Sequence, residues 1–99
     1  MKRDEAIQKL RQHFPELRER FGVAHLSVFG SVARDEAGPE SDVDILVEFS
    51  PDARVGLFGL IELQQRLEEL LGCKVDVGTP QGLRPRIRDR VLSEAVHVA

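Results

Sequence analysis

The stretch Asp42 to Phe49, DVDILVEF, constrains this chain more than any other part of it. Side chains on a strand alternate between faces, so Val43, Ile45, Val47 and Phe49 point one way and Asp42, Asp44 and Glu48 the other. With Leu46, the apolar set marks a buried strand, which leaves few structural reasons for two acids on it. Side-by-side carboxylates repel and raise each other's pKa unless a cation neutralises them. A divalent ion with oxygen ligands does this, and Mg²⁺ bridging carboxylates to substrate phosphates is a common arrangement. One Asp-x-Asp pair in isolation fits a polar strand face or a loop cap about as well.

The remaining elements frame that strand. Ala6, Ile7, Leu10 and Phe14 fall at helical spacing from Lys2 to Phe14. Pro15 either breaks this helix or opens the next turn, and Leu17 and Phe21 continue the stripe to a stop at Gly22. Ala24 to Phe29 reads as a short strand ended by Gly30-Ser31. Val32 to Glu36 can make one helical turn, and Gly38-Pro39-Glu40-Ser41 is loop chemistry. Leu57, Leu60, Ile61, Leu67, Leu70 and Leu71 line the longest amphipathic helix, which Gly72 terminates. Cys73 to Val77 is a third strand, with Lys74 and Asp76 on its polar face. Ile87, Val91, Leu92 and Ala95 suggest a last helix before a short tail. The expectation is one α/β domain over residues 1–99, a short sheet with helices packed on it.

Composition narrows the function. The 99 residues are 41% hydrophobic and 31% charged, an ordinary globular balance. A net charge of −3 lacks the basic footprint of a protein that grips nucleic acid. The lone Cys73 excludes an internal disulfide and a multi-cysteine zinc site, and it suits a reducing cytoplasm. No apolar run approaches the ~20 residues that span a bilayer. A soluble cytoplasmic protein with no membrane contact is expected.

Gly30-Ser31 follows a strand and precedes a helical turn, where backbone amides and a hydroxyl can hold phosphate oxygens. Taken singly, it is also ordinary turn chemistry. Asp76 would join Asp42 and Asp44 if its strand lies beside theirs. Three converging acids can hold two cations and draw a proton from an attacking hydroxyl. Alone, Asp76 fits a salt bridge with Lys74 or an arginine. Arg34, one helical step past the phosphate turn, could reach a phosphate or a partner, and a surface role fits equally. Arg84, Arg86, Arg88 and Arg90 read as a solvated helix face. His13, His25 and His97 show no ligand spacing, and Cys73 reads as a small core residue.

Gly30-Ser31-Val32-Ala33-Arg34, then Ser41-Asp42-Val43-Asp44-Ile45-Leu46-Val47, resembles the signature of the DNA polymerase beta-like nucleotidyltransferase superfamily. The short chain, the Leu-rich helix and Lys74-Val75-Asp76-Val77 are further similar to its minimal nucleotidyltransferases, the MNT-type antitoxins. Asp35 departs from the pattern, since many relatives have glycine after the arginine. The resemblance implies a polymerase-type palm reduced to its core, with a short mixed sheet. It implies that Gly30 and Ser31 hold the triphosphate of ATP, with Arg34 nearby, and that Asp42 and Asp44 bind two Mg²⁺. Asp76 would ligate the metal near the acceptor and help activate it. The implied reaction adds AMP to a tyrosine of a HEPN-domain ribonuclease toxin.

Two other functions compete. A nucleotide-sensing or inhibitory subunit without turnover would not need three converging acids. A transferase for an aminoglycoside-like hydroxyl would need an acceptor pocket that 99 residues barely allow. The net negative charge weighs against a template-directed polymerase.

Overall fold

The computed structural model describes residues 2–36 and 42–99, and of Gln81 the backbone alone. The loop expected at Gly38–Ser41 lies outside the described residues. Helix α1 spans Arg3–Phe21 and runs straight through Pro15, which removes one backbone hydrogen bond. Ala6, Leu10, Leu17 and Phe21, all buried, hold the helix together on both sides of the proline. Full burial of a leucine is worth roughly 1.5–3 kcal/mol, so this stripe outweighs the proline's cost of ~3 kcal/mol. Gly22 ends the helix in the left-handed region.

Strand β1 (Val23–Phe29) leads into the four-residue helix α2 (Gly30–Ala33), and β2 covers Val43–Phe49. Helix α3 (Leu57–Leu71) precedes β3 (Val75–Gly78), a short 3₁₀ turn at Pro80–Gly82, α4 (Pro85–Glu94) and β4 (Val96–His97). Among the described residues the strands form one sheet in the order β3-β2-β1-β4. β1 is antiparallel to both β2 and β4, whereas β2 and β3 run parallel, so the sheet is mixed as expected.

Val43, Ile45 and Val47 pack with Leu10, Leu17, Leu63 and Leu67 in the core between the sheet and helices α1 and α3. Arg66 of α3 grips Glu16 of α1 as a fork, Nε to Oε2 at 2.6 Å and Nη2 to Oε1 at 2.7 Å. Leu46 points to the other face and is also buried, and the Pro80–Gly82 turn packs on β2.

Several boundaries move from their expected places: β1 opens at Val23 rather than Ala24, β3 closes at Gly78 rather than Val77, and α2 closes at Ala33 rather than Glu36. β2 opens at Val43 rather than Asp42, and β3 at Val75 rather than Cys73. Single-residue alternation continues past the last ladder bond, so periodicity overruns the pairing. α2 starts at Gly30 instead of Val32. The tail is a strand: Val96 and His97 pair with β1, and Leu26 and Ala99 exchange backbone bonds. Arg11 clamps this tail by donating to the Val98 carbonyl at 2.8 Å. α4 has no buried residue, and Ile87 and Leu92 remain exposed.

Candidate active site

The site grows from the turn that joins β1 to α2. Gly30 takes φ 72°, where a side chain is costly. A Cβ there would lie 3.1 Å from Asp44 Cγ and collide with Oδ2. Glycine therefore lets the backbone turn seat directly against the acid. The N-cap residue of α2, Phe29, has no side-chain acceptor, so among the described residues the first amides are left as donors beside that acid. Ser31 follows, half-buried.

Asp44 sits at the centre of a row across the sheet. It pairs with Phe29 on the antiparallel side and with Asp76 on the parallel side. Partners in register share a face, so the Asp44 and Asp76 carboxylates project from the same side. Asp44 is half-buried, whereas Asp76 and Asp42 are exposed at the mouth. Burial pushes the Asp44 carboxyl above its ordinary range, and the charges of Asp76 and then Asp42 push it further. The Arg34 guanidinium opposes them.

Arg34 is held in place by acids of its own. Its Nε donates to Glu36 Oε2 at 3.1 Å and its Nη1 to Glu94 Oε2 at 3.2 Å. The bond to Glu36, and after it the charges of both carboxylates, raises the Arg34 pKa. Among the described residues, two of the five guanidinium N–H groups are engaged this way.

Asp35, the departure from the family pattern, has φ 59°. It adopts the left-handed backbone that glycine favours, and aspartate tolerates that region better than most residues. Its Oδ1 accepts from the Arg3 amide at 3.4 Å, which ties the loop to the start of α1.

The structure thus brings Gly30, Asp44 and Asp76 together directly, with Asp42 and Arg34 close enough to shift Asp44. Ser41 lies outside the described residues. Among the described residues, no three His, Cys, Asp or Glu side chains form a metal cage by themselves. The acids are open on the solvent side, and a Mg²⁺ held by one or two carboxylates completes its shell with water and phosphate oxygens. Mutually repelling, all-oxygen donors beside a glycine turn fit such an ion. Arg84, Arg86, Arg88 and Arg90 are exposed as expected, and Arg90 also bonds Glu94. Cys73 is half-buried against the core, and burial pushes its thiol pKa up.

Sequence reasoning missed Glu94, whose contact with Arg34 spans 60 positions and leaves no local signal. It also missed that β4 brings His97 to His25, ring centroids 5.7 Å apart.

A model of the nucleotidyltransferase domain family matches residues 10–98. The chain belongs to that family. This nucleotidyltransferase is 48% identical over 89 residues to the protein adenylyltransferase MntA of Thermococcus cleftensis, covering 90% of this chain and 88% of the relative. A solved structure of a minimal nucleotidyltransferase shares 40% identity at a TM-score of 0.77, over 97% of this chain and 95% of that one. The structure of a tri-AMPylated Shewanella oneidensis HEPN toxin with its MNT antitoxin has a TM-score of 0.65 at 18% identity. It covers 94% of this chain and 71% of that chain, a likeness of fold.

Proposed function

We propose that this nucleotidyltransferase transfers AMP from ATP to a tyrosine hydroxyl of a HEPN-domain toxin and thereby acts as its antitoxin. The observation that carries the reading is the register pairing of Asp44 with Asp76 beside the Gly30 turn. The 48% identity to a protein adenylyltransferase supports AMP as the transferred group. The fold shared with a HEPN toxin's MNT antitoxin supports the partner class. The chain contains no tyrosine, so a tyrosine acceptor comes from another molecule.

In this reading residues 1–99 work as one domain. The amides at Gly30 and Ser31 and the Ser31 hydroxyl hold the triphosphate, and Arg34 offers its guanidinium to a phosphate oxygen. Asp42, Asp44 and Asp76 would hold two Mg²⁺, which when bound neutralise the acids and the charge developing on the phosphates. The acceptor oxygen attacks the α-phosphorus in line. The bond from that phosphorus to its bridging oxygen breaks, pyrophosphate leaves, and the hydroxyl proton passes to Asp76, the exposed acid facing the incoming acceptor.

The test is intact-mass analysis of the co-purified partner after incubation with ATP and Mg²⁺. Wild type is expected to add the mass of AMP to the partner. Asp76→Asn is expected to bind both ATP and partner and to add none, since its contribution develops at the attacking oxygen. Wild-type transfer by Asp76→Asn, or AMP found only on this chain, overturns the assignment.

A further inference from the structure

Arg34 closes the turn that begins at Gly30, its amide donating to the Gly30 carbonyl at 3.2 Å. That bond fixes the backbone, whereas the guanidinium sits at the end of a long stem with many rotamers. Two carboxylates of different origin hold it. Glu36 belongs to the same loop, its own amide donating to the Ser31 carbonyl at 2.9 Å, and its side chain is 67% exposed. It therefore ties Arg34 only to its immediate surroundings. Glu94 comes from α4, is 32% exposed and accepts from Arg34 Nη1, a different nitrogen from the Nε that Glu36 holds. The other oxygen of Glu94 accepts from Arg90 Nε at 3.4 Å, so this carboxylate is itself held. β4 follows α4 directly and pairs with β1, the strand that leads into the Gly30 turn. A bond at a second nitrogen fixes the rotation of a planar group, and this one fixes it relative to the sheet. Nothing in α4 itself calls for an acid at this place. Glu94 is the last residue of the helix, where the negative end of the macrodipole disfavours a carboxylate. The helix buries no residue, so Glu94 does not follow a core face either.

We propose that Glu94 is a positioning residue for AMP transfer, setting the orientation in which the Arg34 guanidinium meets the triphosphate. This role rests on the assignment of Arg34 to a phosphate oxygen made above. A guanidinium loose on its stem keeps its charge and still attracts ATP. What it loses is the fixed direction of its N–H groups, which counts most while charge shifts onto the departing pyrophosphate. Releasing Glu94 therefore leaves ground-state binding in place, or strengthens it by removing a competing carboxylate, and slows the chemical step. The last helix, which adds nothing to the core, in this way acts on the reaction through one side chain.

Steady-state AMP addition to the co-purified partner tests it, together with nitrogen NMR of the chain without ATP. Glu94→Ala is expected to lower kcat about tenfold or more, with an unchanged or smaller KM for ATP. Glu94→Gln, which keeps an oxygen for Nη1, should recover most of that rate. In the ATP-free chain, rotation about the Arg34 Nε–Cζ bond should be slow in wild type and quicken in Glu94→Ala. Arg11→Ala controls for the fold, because it releases the Val98 carbonyl and loosens the tail after Glu94 while both acids stay on Arg34. It should transfer at close to the wild-type kcat. An unchanged kcat in Glu94→Ala, a loss confined to KM, or an equal loss in Arg11→Ala overturns the proposal. So does an Arg34 rotation indifferent to Glu94. Arg34→Ala separates that failure from failure of the phosphate assignment. If Arg34→Ala slows transfer and Glu94→Ala does not, Arg34 keeps its phosphate role and positioning by Glu94 falls. If Arg34→Ala transfers at the wild-type rate, or wild type adds no AMP, the assignment fails and the proposal falls with it.

Discussion

On the helix-covered face of the sheet, Val43, Ile45 and Val47 are fully buried against α1 and α3. On the opposite face of the same strand, Asp44 is half-buried and Glu48 is exposed, with His25 and His97 exposed nearby. With the buried Leu46 as the exception, successive residues of β2 thus belong to two environments. The first removes apolar surface from water and supplies stability. The second keeps like charges close together and gives stability up, because a carboxylate beside two others is favoured only when something cationic joins it. A strand is well suited to this division, since its alternation places core and chemistry one residue apart.

If the two faces are separate, substitutions on them act differently, and stability measurements order them. The largest effect belongs to the core. Leu67→Ala, at a fully buried position, is expected to cost about 2–5 kcal/mol by denaturant unfolding while leaving transfer per folded molecule unchanged. Equal loss of specific activity would show that the faces are not separable.

Gly30→Ala comes next, because it forces a side chain into the left-handed region and against Asp44. A cost of about 1–3 kcal/mol is expected, together with loss of ATP binding in calorimetry. Full ATP affinity in this variant would remove the turn from the nucleotide site.

Asp35→Gly acts on the backbone of the same loop. It relaxes the strained backbone at φ 59° and forfeits only a long bond to the Arg3 amide. A gain of at most about 1 kcal/mol is expected, read as a shift in the denaturant midpoint. Clear destabilisation would mean that the tie to α1 outweighs the backbone strain.

The smallest stability effect is expected at Asp44 itself, and it has a sign. Burial, then Asp76 and Asp42, hold its carboxyl above the ordinary range, so the folded metal-free chain binds that proton more tightly than the unfolded chain. This contribution to stability is fully present below the ordinary carboxylate pKa. It is lost as pH rises through the elevated one. Asp44→Asn does not titrate, so its advantage over wild type in chelator should open as pH climbs out of the carboxylate range and level off toward neutrality. Thermal unfolding across that range checks it, and an advantage that shrinks with rising pH would contradict the assigned causes. The same variant is expected to lose transfer.

Much of this was legible in the residues. Alternation in DVDILVEF identified β2, its buried face and the acid-bearing side, because period-two patterning follows directly from strand geometry. Gly22 and Gly72 marked the two long helices' ends, and both take the left-handed conformation expected there. α4 was less legible. Ile87, Val91, Leu92 and Ala95 pointed to a last helix, which is there, but Ile87 and Leu92 are exposed, because spacing reports an apolar stripe and not whether anything covers it. The tail showed no strand signal, since two residues are too few for a period and their pairing depends on β1, some 70 positions away.

Local residue patterns set the elements other than β4, because those depend on residues within one or two turns of each other. Only the tertiary structure decided which acids meet. Asp42 and Asp44 are near in sequence, but Asp76 becomes Asp44's neighbour solely because β3 pairs parallel to β2 in that register. Glu94 reaches Arg34 solely because α4 returns to α2. Such contacts join residues from distant parts of the chain. The packing of the whole core sets their strand order and register, which no local pattern carries.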